Sequence, residues 1–188
     1  MGQYPSPISI ADFNGDGKDD LAVTNTGSNS ISVLMGHGDG SFDKAVTYPV
    51  GSYPNCLTAA DFNGDSKPEI AVVNSASGNV SMLMNKGDGT FGKAVNYTSP
   101  GGPISIVAVD FSKDGHMDFA VCNAGTNNVT IFFNDGNGMF PVTSTFQSGF
   151  SPICILSDDL DRDGYLDVIT VDNNDNGTVS VFMGCKPQ

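Results

Sequence analysis

Four short acidic loops recur along this chain at a spacing of 49 residues. They open at Asp12, Asp61, Asp110 and Asp159, and the first reads Asp12-Phe-Asn-Gly-Asp-Gly-Lys-Asp-Asp20. In each loop, positions one, three, five and nine carry a carboxylate, an amide or a hydroxyl. Oxygen atoms in such a short loop can wrap around a hard cation, and Ca²⁺ takes about six to eight oxygen ligands. The loops therefore predict a repeat protein that binds calcium.

The predicted ligands occupy the same five positions in every loop, namely four side chains and the backbone carbonyl of position seven. Loop one offers Asp12, Asn14, Asp16, Lys18 (carbonyl) and Asp20, and loop two offers Asp61, Asn63, Asp65, Lys67 (carbonyl) and Glu69. Loop three offers Asp110, Ser112, Asp114, His116 (carbonyl) and Asp118, and loop four offers Asp159, Asp161, Asp163, Tyr165 (carbonyl) and Asp167. With water completing each shell, up to four Ca²⁺ ions are expected.

The four sites are not expected to be equal. Loop four carries four carboxylates and is predicted to bind most tightly, whereas Ser112 replaces an amide in loop three. Loop two has Ser66 at position six, where the other loops have glycine. A positive φ at that position would strain a serine. The expected order of affinity is loop four, then loop one, then loops two and three.

A simpler interpretation of the loops is that Asp and Asn side chains close turns on their own backbone. Four copies in register favour metal binding, because self-closing turns do not need three or four mutually repelling carboxylates. The loops lack the glutamate at position twelve and the flanking helices of an EF-hand. The bound metal is expected to be structural and not regulatory.

The net charge of −13 is concentrated in these loops. Thirteen of the 21 acidic residues occupy ligand positions, and the other acids balance the eight Lys and Arg residues. With so few basic residues, nucleic acid and anionic membranes are poor partners. No segment approaches the roughly 20 apolar residues of a membrane span. The N-terminus lacks the basic and apolar regions of a secretory signal, which is therefore either absent or removed.

The four cysteines, Cys56, Cys122, Cys154 and Cys185, follow neither zinc spacing nor a Cys-x-x-Cys pattern. Cys56 and Cys154 fall at equivalent places two repeats apart, which is too distant for a bridge in a rigid ring. Free thiols, buried or half-buried, are therefore expected.

Short runs rich in Val, Ile, Phe and Thr surround each acidic loop and predict β-strands, which in the first repeat are 8–13, 21–24, 31–35 and 41–50. Four antiparallel strands per repeat and no helical periodicity predict an all-β propeller in a single domain, 1–188. The predicted blades span about 8–50, 57–99, 106–148 and 155–184. Because the last blade has three strands, the prediction is fifteen strands in a four-blade propeller or an open propeller segment.

The repeated loop, an apolar strand after it and the motif Gly-Asp-Gly-Ser/Thr-Phe at 38–42 and 87–91 together resemble the FG-GAP or VCBS repeats of integrin α-subunit propellers and their bacterial relatives. Four copies agree in motif and spacing, and they cover nearly the whole chain. The resemblance implies a β-propeller and the same metal ligands, since loops of the family follow Asp-x-Asp/Asn-x-Asp-Gly-x-x-Asp. The family usually builds seven blades, and this chain has four.

Two sets of large apolar residues are predicted to pack in the core between blades. One set occupies position two of the acidic loops and comprises Phe13, Phe62, Phe111 and Leu160. The other follows the Gly-rich turns and comprises Phe42, Phe91 and Phe140.

The Asn-rich turns at 25–30, 74–79, 123–128 and 172–177 lie at the strand ends opposite the acidic loops. With the inter-blade links at 53–54, 101–103 and 150–152 they are predicted to form one face, here called the link face. In integrin-like propellers this face recognises ligands, so the resemblance implies a module for protein or carbohydrate recognition or adhesion. Weak calcium sites fill where calcium is plentiful, which favours an extracellular or cell-surface setting. No catalysis is expected, because no acid-base pair is evident.

The alternative function is that of a scaffold or assembly unit. The third strand of the last blade is predicted to carry an unpaired edge, and such edges tend to pair with another chain. The chain would then oligomerise through its incomplete last blade into a larger propeller, so a homo-oligomer is a possible partner.

Overall fold

The chain forms fifteen β-strands in four antiparallel sheets, in a computed structural model that describes residues 1–99, 101–173 and 177–184. Blade one contains β1 (Pro5–Ala11), β2 (Asp20–Asn25), β3 (Ser30–Leu34) and β4 (Val46–Pro49), with a 3₁₀ turn at Thr26–Ser28. Blade two contains β5 (Pro54–Ala60), β6 (Glu69–Asn74), β7 (Asn79–Leu83) and β8 (Val95–Thr98). Blade three contains β9 (Pro103–Val109), β10 (Asp118–Asn123), β11 (Asn128–Phe133) and β12 (Val142–Gln147). Blade four contains β13 (Pro152–Asp158), β14 (Asp167–Asp172) and β15 (Thr178–Phe182). The predicted all-β class and strand number are confirmed.

Within each blade the strands pair in chain order as an antiparallel meander. The second strand is the most buried, and every residue of β6 and of β10 is inaccessible to solvent. These strands read Glu-Ile-Ala-Val-Val-Asn and Asp-Phe-Ala-Val-Cys-Asn, a composition that suits a sheet covered on both faces. Each inner blade is therefore packed between two neighbours.

The core consists of three apolar layers between consecutive blades. Phe13 and Ile31 of blade one pack against Leu57 and Ile70 of blade two. The layer between blades two and three is built around Phe62, Phe119, Phe132 and Phe140, and the layer between blades three and four contains Cys122, Val129, Ile155 and Val168. Burial of each large side chain stabilises the fold by about 1.5–3 kcal/mol. The fold is held mainly by contacts between blades.

In blades one to three, the fourth strand is shorter than the repeat pattern predicts. The segment 41–50 is expected to be extended throughout, but pairing begins only at Val46, and in blades two and three the fourth strand begins at Val95 and Val142. Before that point the chain makes only isolated bridges, Gly36 to Phe42 and Asn85 to Phe91. The prediction was wrong there because the Gly-rich turn closes on its own side chains, with Ser41 N–H donating to Asp39 at 2.9 Å.

The turn between β14 and β15 is one residue longer than its counterparts. Asn74 pairs with Asn79 and Asn123 with Asn128, but Asp172 pairs with Thr178. Residues of β15 therefore correspond to residues 50 positions earlier, so that Val181 matches Ile131 and Phe182 matches Phe132. The strict 49-residue period fails at this turn.

The two ends of the array leave apolar faces in solvent. We call the outward face of blade four the trailing face; it exposes Leu156, Leu160, Val171, Val179 and Val181, with 41–61% of each residue accessible. We call the free face of blade one the leading face; it exposes Ile8, Ile10 and Phe42. The predictions that Leu160 and Phe42 pack in the core were therefore wrong, because each faces away from its neighbours, whereas Phe13, Phe62, Phe91 and Phe140 are buried and Phe111 is half-buried. The array is an open propeller segment.

Cys56, Cys122 and Cys154 are free thiols, as predicted, and Cys185 lies outside the described residues. Burial raises the pKa of the Cys122 thiol to about 12. In the described part of the chain, no helix has the length and apolarity needed to cross a membrane.

Candidate metal loops and link face

Position one of each acidic loop organises the loop backbone. The Oδ1 atom of Asp12 accepts hydrogen bonds from the N–H groups of Gly15 (2.7 Å) and Asp16 (3.2 Å), and its Oδ2 atom accepts one from Gly17 (2.8 Å). Asp61 and Asp110 make all three corresponding bonds, and Asp159 accepts from the N–H groups of Asp163 and Gly164. The first carboxylate thus fixes the curvature that brings the later ligand positions around it.

Positions three and five form successive Asx turns. Asn14 accepts from the N–H of Asp16 at 2.9 Å, and Asp16 accepts from the N–H of Lys18 at 3.0 Å. Loops two and four repeat both bonds, whereas Ser112 in loop three instead donates to Asp110 at 3.3 Å. The Asp and Asn side chains therefore do close turns on their own backbone. The same side-chain oxygen atoms keep lone pairs that a cation can bind.

Position nine is the buried member of each loop. Asp20, Glu69, Asp118 and Asp167 are all fully inaccessible to solvent. One oxygen of Asp20 accepts from Phe13 N–H (2.9 Å), and the other accepts from Gly36 N–H (2.7 Å), just after β3. The other three loops repeat this pair of bonds. Position nine therefore ties the loop to the end of the third strand, a role that the sequence reasoning missed.

Two of the buried carboxyl groups, Glu69 and Asp118, are electrostatically strained. Burial raises the pKa of Glu69, and repulsion from Asp65 and Asp61 adds to the rise against the lowering effect of its backbone hydrogen bonds. Burial likewise raises the pKa of Asp118, with a further contribution from Asp114. A divalent cation in the loop would offset this repulsion.

In loop four, three predicted side-chain ligands lie close together. One carboxylate oxygen from each of Asp159, Asp161 and Asp167 lies within 4.8 Å of the other two. Asp163 lies outside this group and accepts from Tyr165 N–H at 2.8 Å. The all-oxygen donor set suits Ca²⁺. In loop one, the ammonium group of Lys18 lies 3.3 Å from Asp16 and supplies a weaker positive charge.

Two positions in each loop adopt the left-handed conformation. Position six has a positive φ in all loops, including 66° at Ser66, which confirms the predicted requirement. Position four also has one, and there loops three and four carry Lys113 (φ 61°) and Arg162 (φ 62°) in place of glycine. An L-residue in this conformation costs about 1–2 kcal/mol, so loops two, three and four each carry strain that loop one lacks.

A buried asparagine clamps each of the first two loops to the next blade. The side-chain amide of Asn85 donates to the carbonyl of Phe13 (2.9 Å) and to that of Pro68 (3.1 Å). Asn134 repeats the arrangement on Phe62 (2.7 Å) and Met117 (2.9 Å). The sequence signal for this clamp is an asparagine at the same place in repeats two and three.

At the opposite strand ends the links meet the Asn-rich turns, as predicted for the link face. Tyr53 N–H donates to the side chain of Asn29 at 3.0 Å, and Ser151 N–H donates to that of Asn127 at 2.7 Å. Part of the last turn, 174–176, lies outside the described residues. The described links and turns therefore form one surface.

A cleft of about 690 Å³ opens on the link face between blades one and two. Its walls include the rings of Tyr4 and Tyr53, which are 77% and 55% exposed, with the polar side chains of Thr26 and Asn29 between them. A Cβ atom on Gly27 would collide with the ring of Tyr4. Exposed aromatic rings beside hydroxyl and amide groups are typical of a binding surface.

Both tyrosines are held in the left-handed conformation, with φ 51° at Tyr4 and 60° at Tyr53. The equivalent positions in the next two links are Gly102 (φ 66°) and Ser151 (φ 50°). Glycine satisfies this conformation without strain, so bulky aromatic residues are unfavourable here for folding alone. Such strain concentrates at functional sites.

The sequence model of the FG-GAP-like repeat matches the chain in three overlapping segments, 12–72, 61–121 and 114–170. A comparison with curated proteins finds no match.

Solved structures share the fold at low sequence identity. BBS1N in complex with ARL6DN has a TM-score of 0.66 and 13% identity over 97% of this chain and 57% of that chain. A streptogramin B lyase has a TM-score of 0.64 and 16% identity over 96% and 54%. A protein from Lactobacillus plantarum has a TM-score of 0.64 and 12% identity over 100% and 57%. The chain spans a little more than half the length of these proteins, and the likeness concerns the fold alone.

Proposed function

This chain belongs to the FG-GAP-like repeat family, and from that premise we propose that it is a propeller module braced by calcium, with a link face that binds a protein or carbohydrate ligand. Calcium has a structural role in this proposal. It offsets the repulsion among the acidic side chains and holds the first and second strands of each blade together. The convergence of Asp159, Asp161 and Asp167 in loop four supports the donor set.

Ligand recognition is carried by one observation, the cleft between Tyr4 and Tyr53. Two exposed aromatic rings are kept at positions where glycine would serve the fold better. The rings offer apolar contact area, while Thr26 and Asn29 offer hydrogen-bonding groups. The proposal contains no catalytic step. Because extracellular calcium modules bind with Kd of roughly 10⁻⁴–10⁻³ M, an extracellular or cell-surface setting and a role in adhesion suit such sites.

A glycan array and an array of extracellular proteins, both probed with the calcium-loaded chain, test this function. The double variant Tyr4→Gly, Tyr53→Gly should lose any binding that the wild type shows, yet unfold at the same or a higher temperature. Val142→Ala, an exposed change on the outer strand of blade three, is the matched control and should bind normally. Equal binding by the tyrosine variant and the wild type would contradict the assignment of the cleft.

A second candidate function, assembly with another copy, is favoured by the two exposed end faces. The trailing face corresponds, residue for residue, to faces that are covered in blades one to three. The leading face consists of residues whose equivalents in blades two to four cover the preceding blade. Two copies joined head to tail would give eight blades, within the usual range of about four to eight.

Light scattering distinguishes the two candidates. Assembly predicts a species of about twice 19.6 kDa, which Leu160→Glu or Ile10→Lys should convert to monomer because both side chains are more than half exposed. Val142→Lys is the control and should leave the dimer intact. A monomer at all concentrations would exclude assembly through these faces and leave the link-face proposal intact.

A further inference from the structure

The two buried clamp asparagines connect neighbouring acidic loops to each other. The backbone N–H of Asn85 donates to Glu69, position nine of loop two, at 3.3 Å. Its side-chain amide donates to the carbonyl of Phe13 in loop one at 2.9 Å. The N–H of Phe13 in turn donates to Asp20, position nine of loop one, at 2.9 Å. Three hydrogen bonds therefore join the buried carboxylate of loop one to that of loop two.

The second clamp, Asn134, continues this series of hydrogen bonds into loop three. The other carboxylate oxygen of Glu69 accepts from the N–H of Phe62 at 3.0 Å. The carbonyl of Phe62 accepts from the side-chain amide of Asn134 at 2.7 Å, and the N–H of Asn134 donates to Asp118, position nine of loop three, at 2.8 Å. Because the carboxylates are fully buried, these bonds lie in a medium of low dielectric constant, where each bond strengthens its neighbours.

Packing between the loops and the Gly-rich turns adds to this connection. A Cβ atom on Gly89 of blade two would lie 3.3 Å from the Cβ atom of Asn14, which is position three of loop one. A Cβ atom on Gly138 of blade three would lie 3.5 Å from that of Asn63, which is position three of loop two. The N–H of Gly138 donates to the side-chain oxygen of Asn134 at 3.1 Å. Each clamp thus lies within a turn that rests on the preceding loop.

Glycine replaces the clamp asparagine in blade four. The N–H of Gly184 donates to Asp167, position nine of loop four, at 2.8 Å, as the N–H of each clamp asparagine does in its own blade. Glycine has no side-chain amide with which to reach the carbonyl of Phe111 in loop three. The series of hydrogen bonds therefore joins loops one, two and three.

We infer that loops one, two and three bind calcium cooperatively and that loop four binds it independently. When loop two is ordered, Glu69 and Asn85 are fixed, so the carbonyl of Phe13 finds its hydrogen-bond donor already in place. Less conformational entropy is then lost when loop one becomes ordered in its turn. The inference rests on the proposed role of calcium, and it goes beyond that role because four separate braces require no coupling.

One glycine in each loop reports on that loop alone, because its N–H donates to the carboxylate at position one; these residues are Gly15, Gly64, Gly115 and Gly164. The full chain labelled with ¹⁵N-glycine is titrated with Ca²⁺, and the four amide signals are followed by NMR. The signals of loops one, two and three should change together along one curve that is steeper than simple binding. The signal of loop four should follow its own, simple curve.

Disabling loop three measures the coupling. Asp110→Asn combined with Asp114→Asn should raise the Ca²⁺ concentration at the midpoint of the Gly64 signal by about fivefold or more. In a chain that also carries Asn134→Ala, disabling loop three should leave that midpoint unchanged from Asn134→Ala alone. Asn137→Ala, an exposed change in the same turn, is the matched control and should preserve the shift.

Loop four supplies a second control, since Asp159→Asn combined with Asp163→Asn should not move the midpoint of the Gly64 signal. The inference is overturned if disabling loop three leaves this midpoint unchanged. It is also overturned if the shift persists with Asn134→Ala, as a purely electrostatic influence of loop three would. Both results leave the structural role of calcium intact, whereas glycine signals that do not respond to Ca²⁺ would overturn that role as well. If Asn134→Ala does not fold, the comparison of the loop-three variant with the wild type decides.

Discussion

The interface between blades two and three differs from the interface between blades three and four, although both are built from the same repeat. In the first, Phe62, Phe119 and Phe140 are at most 4% exposed and their rings contact one another edge to face. In the second, Phe111 is half-buried and a cavity takes the place of the third ring. At both interfaces, each blade has the acidic loop and the first three strands of the repeat. The difference shows that the loops position a blade, while the aromatic residue after the Gly-rich turn closes its interface.

The largest effect that tests this comparison is the loss of a core ring. Phe62→Ala should lower the free energy of unfolding by about 3–5 kcal/mol, because it removes a buried aromatic side chain and leaves a cavity. Leu160→Ala, at the equivalent position of blade four, should change it by less than about 0.5 kcal/mol because Leu160 is 52% exposed. Denaturant unfolding measures both. Similar losses for the two variants would mean that the trailing face is covered in solution.

The asparagine clamp should give an intermediate effect. Asn134→Ala removes the donor to the carbonyls of Phe62 and Met117, both at the interface between blades two and three. Leaving buried polar groups unpaired should cost about 1–3 kcal/mol of unfolding free energy.

Asn137→Ala, in the exposed part of the same turn, is the control and should cost little. If Asn134→Ala is as stable as this control, the clamp does not contribute to the interface.

The smallest predicted effect concerns strain in the loops. Ser66→Gly should raise the free energy of unfolding by about 1 kcal/mol, because φ is 66° at this position. The reciprocal change Gly17→Ser, at the same position of loop one, should lower it by a similar amount. Thermal unfolding of the two variants measures the sign of each change in the free energy of unfolding. Changes of the same sign in the two variants would argue against backbone strain as the cause.

The features of a single repeat could be predicted from the sequence. The strand number and the positive φ at Ser66 follow from local patterns of apolar residues, turns and glycine. The longer turn before β15 also had a signal, since one more residue separates Asp172 from Thr178 than separates Asn123 from Asn128.

Features that depend on neighbouring blades could not be read in this way. Leu160 and Phe42 carry the same repeat pattern as buried residues, and only their position at the ends of the array exposes them. Asn134 and Phe62 are 72 residues apart in sequence, and no local pattern indicates their hydrogen bond. The calcium ligands and the metal itself stay predictions.

Thermal unfolding of the chain in calcium and in EDTA, at matched ionic strength, tests most directly whether the loops bind calcium. At a Ca²⁺ concentration tenfold above Kd, each occupied loop should add about 1.4 kcal/mol. For a chain of this size the midpoint should then rise by at least about 3 °C. Asp159→Asn combined with Asp161→Asn should reduce that rise. An identical midpoint in calcium and in EDTA would contradict the account.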